Sequence, residues 1–211
     1  MQVISNVRVH DIDESLIASG YPMRTEIDSL DFCEYDEKDL RRGEKLSEKA
    51  TEDANGAHEQ FLDGITVSFD LTFTMKAWVE AERYRFLNFV SSQSNMHRVA
   101  KFNIAKQCIK YVEPQTIELV ERLVREYDAC EDVGQKKELY LRILYNLPAG
   151  IRLTARMVTN YRCLKNIYHQ RRDHRLPEWQ AFCDWIETLP LAKELLLTKE
   201  KEEEQNYGSN F

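Results

Sequence analysis

Residues 65–72, ITVSFDLT, alternate without a break, Ile65, Val67, Phe69 and Leu71 against Thr66, Ser68, Asp70 and Thr72. A period of two over this length fits a strand with one face buried and one face polar. From Met75 the period changes. Trp78, Val79, Glu82, Phe86 and Phe89 recur at helical spacing, which predicts a helix over residues 75–90. Near the start, VISNVRV alternates weakly as a second strand before a turn at Gly20-Tyr21-Pro22, and residues 24–60 are polar and acid-rich, a solvated helix or loop. Residues 115–128 and 135–146 are amphipathic helices. The second ends at Leu147-Pro148, because the residue before a proline is steered out of the helical region. After Gly150, residues 152–171 read as a further helical segment, and Pro177 opens a last helix that Pro190 closes. The fold class expected is α+β, with helices packed around a modest antiparallel sheet. One domain is expected over residues 1–198, followed by an acidic, disordered tail at 199–211.

At 211 residues such a domain needs no disulfide staples. The five cysteines, Cys33, Cys108, Cys130, Cys163 and Cys183, form no CxxC pair and suit reduced thiols, and no metal site is expected. No apolar run reaches membrane length, and the N-terminus has no basic stretch followed by an apolar one, so the cytoplasm is the expected compartment. Charge is unevenly divided. Residues 1–63 carry 16 acidic and 7 basic side chains, the remainder 20 acidic and 22 basic, and residues 152–175 hold seven Arg and Lys against Asp173 alone. That segment is an anion-attracting field within a chain of net charge −7, a total that argues against duplex DNA as partner.

With seven glycines, and neither GxGxxG nor GxxxxGK[ST], phosphate has to be gripped by side chains. Arginine suits the task, since its planar fork pairs two phosphate oxygens. Two stretches qualify. In RYRFLNFVSSQSNMHR (83–98), Arg83 and Arg85 precede a serine cluster of Ser91, Ser92 and Ser94 and then Arg98. The plainer alternative leaves the arginines in water and Ser94 as a helix cap. In TNYRCLKNIYHQRR (159–172), helical spacing sets Asn160, Leu164, Ile167 and Arg171 on one stripe, with Asn166 about a third of a turn away. Asparagines inside a helix suggest polar work against a ligand or subunit, although a solvated basic helix explains them equally well. His169 and His174 are too isolated for a metal.

Together the two stretches resemble the flavin-dependent thymidylate synthases, the thymidylate synthase complementing family. That family's signature is Arg-His-Arg followed by Ser, Asn, Ser and Arg at short fixed spacings. Here RYR at 83–85 has Tyr84 in place of the histidine, and the closing serine corresponds to Ser94. The family's Leu-Pro and Asn-x-Arg-x-Leu-x-(His/Asn)-x-x-x-x-Arg helix correspond to Leu147-Pro148 and to Asn160, Arg162, Leu164, Asn166 and Arg171. The likeness spans roughly residues 58–183 and includes the strand before the first motif. It departs at the central asparagine, which is replaced by Ser91 or lost to a one-residue shift, and where the last arginine, Arg98, lies two positions late, as in divergent phage-type members. A tighter turn or bulge around Ser94-Asn95-Met96 would then have to return Arg98 to the nucleotide.

The resemblance implies FAD-dependent reductive methylation of dUMP, with methylenetetrahydrofolate as carbon donor and NADPH as reductant. It implies a homotetramer in the cytoplasm, the host's cytoplasm for a phage-encoded form. By position, Arg83, Tyr84, Arg85, Asn160 and Asn166 are implied to hold the cofactor, and Ser92, Ser94, Arg98, Arg162 and Arg171 the nucleotide, with Ser94, Arg98 and Arg171 catalytic. An interface between subunits would explain how Asn160 and Asn166 both serve. Two other readings stay open. One is a flavoprotein acting on another pyrimidine nucleotide. The other is a non-catalytic nucleotide- or nucleic-acid-binding descendant using the basic segment with Tyr161 and Tyr168.

Overall fold

A computed structural model describes residues 2–25, 33–52 and 57–197; the expected tail at 199–211 lies outside them. Four strands, β1 (Ile4–His10), β2 (Thr66–Thr74), β3 (Asn88–Ser92) and β4 (Arg152–Asn160), form one sheet in the order β1-β2-β4-β3, antiparallel throughout. Helices surround it, and the fold is α+β. They are α1 (Ile12–Ala18), α2 (Glu37–Glu52), α3 (Met75–Ala81), α4 (Asn95–Arg98), α5 (Ile104–Gln107), α6 (Pro114–Ala129), α7 (Val133–Tyr145), α8 (Tyr161–Arg171), α9 (Pro177–Ile186) and α10 (Ala192–Leu195).

Strand β2 delivers the alternation seen in the sequence, with Val67, Phe69, Leu71 and Phe73 fully buried. Its inner face meets α9 in an aromatic cluster, with ring centroids 4.9 Å apart for Phe73–Trp179 and 4.7 Å for Phe69–Trp185. Pairs at such distances add about 0.5–1.5 kcal/mol each beyond their burial. Thr74 ends the strand by capping α3, its hydroxyl accepting from the Ala77 N–H, and donates to the buried Glu178 at 2.5 Å, which docks α9. The outer face is polar. Thr72 and Thr154 hydroxyls meet at 2.8 Å, and Arg156 donates to Asp70 at 3.2 Å and to Ser68 at 2.9 Å. The Asn6 amide and Arg156, against some burial, hold the Asp70 carboxyl below the usual carboxylate range.

A second hydrophobic cluster stands apart from the sheet core. Val99, Ile104, Val120, Leu123, Ile143 and Ile151 join α5, α6 and α7. Gly150 is needed where this lobe meets β4, since a Cβ there would sit 2.5 Å from Val112.

Two expectations are corrected. Residues 75–90 are not one helix; α3 stops at Ala81, a turn carries residues 82–87, and β3 follows. Residues 152–171 are not one helix either. Residues 152–160 are the central strand β4, with Ala155 and Met157 buried on the inner face, and only Tyr161–Arg171 is helical. The acid-rich 24–60 segment contains a real helix, α2, packed with α1 and α10.

Candidate functional site

The change from β4 to α8 creates the site. Asn160 is the last residue of the strand and the N-cap of the helix, its side-chain oxygen accepting from the Cys163 N–H at 2.8 Å. Its amide donates to Asp63 at 3.2 Å, and Arg162 donates to the other Asp63 oxygen at 2.9 Å. Across from this edge lies the turn after α3. There Tyr84 points inward, its ring 5.8 Å from Trp179 and its hydroxyl donating to Gln170 at 3.0 Å, which leaves Arg83 and Arg85 to flank it. Burial, only partly offset by Arg171, raises the Tyr84 phenol above its ordinary pKa.

Between the two edges is a cleft of about 570 Å³, lined by Asp63, Arg83, Tyr84, Arg85, Phe86, Asn160, Arg162, Cys163 and Asn166. Asn166 is exposed on α8 and makes no side-chain hydrogen bond among the described residues. Among those residues, too, no ion pair engages Arg83 or Arg85, and the Arg85 guanidinium lies 5.8 Å from the Phe86 ring. Cys163 is buried, which pushes its thiol up and makes it a poor nucleophile.

Six of the residues named from the sequence therefore converge: Arg83, Tyr84, Arg85, Asn160, Arg162 and Asn166. Asn160 and Asn166 line the same cleft within one chain, because Asn160 precedes the helix. The others lie elsewhere. Ser92 lines a separate crevice of about 240 Å³ with Trp78, Phe89 and Asn95. Ser94 precedes α4 as its N-cap without a side-chain cap bond, and Arg98 ends that helix exposed. Between the arginine turn and Arg98 the chain has a register irregularity between Phe89 and Ser91 and the single helical turn of α4.

Arg171 lies beneath the turn, its guanidinium over Trp179 at 5.0 Å and Tyr84 at 5.6 Å, donating to the Tyr84 oxygen at 2.8 Å and to Glu80 at 3.0 Å. Sequence reasoning missed Asp63 and Glu80, acids that lie 97 or more and 91 residues from their partners on β4 and α8, where no local signal operates.

The basic field is largely neutralised inside the fold. Lys165 is buried against Glu59 at 2.7 Å, Arg162 pairs with Asp63, Arg156 with Asp70 and Arg171 with Glu80. Tyr161 and Tyr168 are core residues, which corrects the reading of a nucleic-acid face built on them.

Asn160 thus has a structural duty with a measurable size. Asn160→Ala should lower stability by about 1–2 kcal/mol, while Asn160→Ser, which keeps a capping oxygen, should retain most of it. Urea denaturation of the three chains checks this; equal stabilities would mean that the cap is idle.

The chain matches the crystal structure of flavin-dependent thymidylate synthase ThyX from Helicobacter pylori complexed with FAD and dUMP, with TM-score 0.67 and 15% identity over 93% of this chain and 98% of that one. The chain has the fold of the flavin-dependent thymidylate synthases. Thymidylate Synthase X from the same organism with FAD and dUMP, in a second crystal structure, matches with TM-score 0.64 and 17% identity over 93% and 97% of the two chains. No family model and no curated protein matches the sequence. In this thymidylate synthase fold the cleft is built by the strand-to-helix junction at Asn160 and the RYR turn.

Proposed function

We propose that the chain is a divergent flavin-dependent thymidylate synthase, binding FAD and converting dUMP to dTMP with methylenetetrahydrofolate and NADPH, as a cytoplasmic homotetramer. The observation that carries this reading is the cleft at the RYR turn. On a fold whose two matched structures are complexed with FAD and dUMP, it presents two guanidinium groups without ion pairs among the described residues, a carboxamide without a hydrogen bond among them, and an aromatic ring. That donor set suits an anionic, planar ligand. FAD, when bound, would supply the hydride chemistry.

The protein's part is then to bind and orient. Arg83 and Arg85 take phosphate or ring-carbonyl oxygens, Asn166 hydrogen-bonds a heterocycle edge, and Arg162 is held rigid by Asp63 at the same wall. Positive charge fixed in place stabilises negative charge that grows on a pyrimidine ring as its C5 becomes nucleophilic. The exposed apolar residues Val79, Phe86, Phe89 and Val90 near the cleft offer surface that a tetramer would bury.

Purified protein reconstituted with FAD should retain it and become yellow, elute as a tetramer, and form dTMP from dUMP, methylenetetrahydrofolate and NADPH. A colourless monomer after reconstitution overturns the reading. Retained FAD without dTMP moves it to a flavoprotein for another pyrimidine nucleotide, a reading favoured by the position of Ser94 and Arg98 outside the cleft. Nucleotide uptake without flavin moves it to the non-catalytic binder.

A further inference from the structure

Helix α2 carries its cations on one face. Lys38, Lys45 and Lys49 fall within about 40° of one another at helical spacing, with Arg41 and Arg42 at the edges of the stripe, while Glu44 and Glu48 turn to a separate one. These cations and Leu46 enclose a hollow of about 410 Å³. Arg41 is paired with Glu37 and Arg42 with Asp39, and Arg42 also donates to the Ser19 hydroxyl and the Leu16 carbonyl, both at 2.8 Å. Lys38, Lys45 and Lys49 are exposed and have no ion pair among the described residues. Like charges along one side of a helix repel one another, and an anion laid across them relieves the repulsion.

A matching anion lies close by in the chain. Helix α10 packs against α2, and a Cβ at Gly43 would lie 3.5 Å from the Leu195 side chain. Beyond Leu197, outside the described residues, the sequence runs on as TKEKEEEQNYGSNF, in which Glu200, Glu202, Glu203 and Glu204 outnumber Lys199 and Lys201. The five residues from Leu197 to Glu202 span up to roughly 17 Å. Passing round α2 from the Gly43 side, over Leu46, to the lysine stripe takes roughly 12–15 Å. The spacing agrees as well. Lys45 and Lys49 are about 6 Å apart along the helix, and Glu202 and Glu204 in extended chain are about 6.5 Å apart.

We propose that the acidic segment Glu200–Glu204 docks on the lysine stripe of α2 and covers its hollow. The stripe is then closed to outside polyanions at low ionic strength and opens as salt screens the pairs. No side chain of α2 lines the cleft at the RYR turn, so the failure of this inference would leave the reading of that cleft untouched.

The test uses the full chain at low salt and a carbodiimide, which joins a carboxylate to an amine only where the two meet. Lys45 and Lys49 should be linked to glutamates of residues 200–204, and the links should vanish at high salt. In a mixture of isotopically labelled and unlabelled chains, each link should join residues of the same label. Links between labels assign the stripe to a second copy and overturn the proposal, as does the absence of links. Lys45→Glu with Lys49→Glu should lose the links at those two positions, and adding Glu202→Lys with Glu204→Lys should restore them with the charges exchanged. Without restoration the segment is near α2 but not paired with it, and the proposal falls. Replacing Glu200, Glu202, Glu203 and Glu204 together by glutamine should raise the affinity for inorganic polyphosphate about tenfold or more at low salt. Equal affinity means that the stripe already stands open in the unaltered chain and overturns the proposal.

Discussion

Trp179→Ala is expected to lower the unfolding free energy by about 3–5 kcal/mol, a large share of the stability of a domain this size. Trp179 is fully buried, with its ring 4.9 Å from Phe73, 5.7 Å from Phe182 and 5.8 Å from Tyr84. Truncation opens a cavity between β2 and α9 that a close-packed aromatic cluster cannot collapse to fill. It also strips one donor from the Glu80 carboxylate and one aromatic face from Arg171. Trp179→Phe separates the two effects. It keeps most of the volume and loses the N–H, so about 1–3 kcal/mol is expected from the under-served carboxylate. Urea titrations followed by circular dichroism provide the measurement, and a loss under about 1 kcal/mol for Trp179→Ala would contradict the packing described.

The second large effect concerns binding. Replacing both Arg83 and Arg85 by alanine should weaken FAD binding by roughly a hundredfold to ten-thousandfold, since each lost charge-assisted contact is worth about 1.5–3 kcal/mol. Both side chains are exposed and free of ion pairs among the described residues, so the fold should stand. Arg122→Ala, on α6 and paired with Glu126 at 3.8 Å, is the matched charge control and should bind FAD as the unaltered chain does. Flavin fluorescence titration reads all three. A double variant that binds within a factor of about two of wild type would remove the two arginines from the site.

Strand β2 was legible because its two faces meet different surroundings, and its sequence alternates accordingly. Strand β3 offered nothing to read: all five residues, Asn88 to Ser92, are exposed, so burial imposes no period on them and Phe89 joined the helical pattern by coincidence. In β4, Arg152 and Arg156 are four apart, a spacing that puts two side chains on the same side of a strand and of a helix alike. With Thr159 turned inward, the polar alternation was too blurred to decide. The cleft was readable to the extent that its residues sit in two local runs, the RYR turn and the Asn160–Asn166 segment. Asp63 was not, nor was the pairing of Glu80 with Arg171 beneath the turn, because these long-range partners meet only in the assembled fold.

The strand order adds a temporal constraint. The last strand to be made, β4, inserts between β2 and β3, and it carries the wall of the cleft whose partner Asp63 was made 97 residues earlier. Contacts that distant must close a long loop before they return any stabilisation, whereas the α6–α7 hairpin can form from neighbours alone. A nascent chain that has not yet released Asn166 from the ribosome therefore has the arginine turn but no cleft. The wall formed by Asn160, Arg162 and Asn166 is therefore the last part of the cleft to be made.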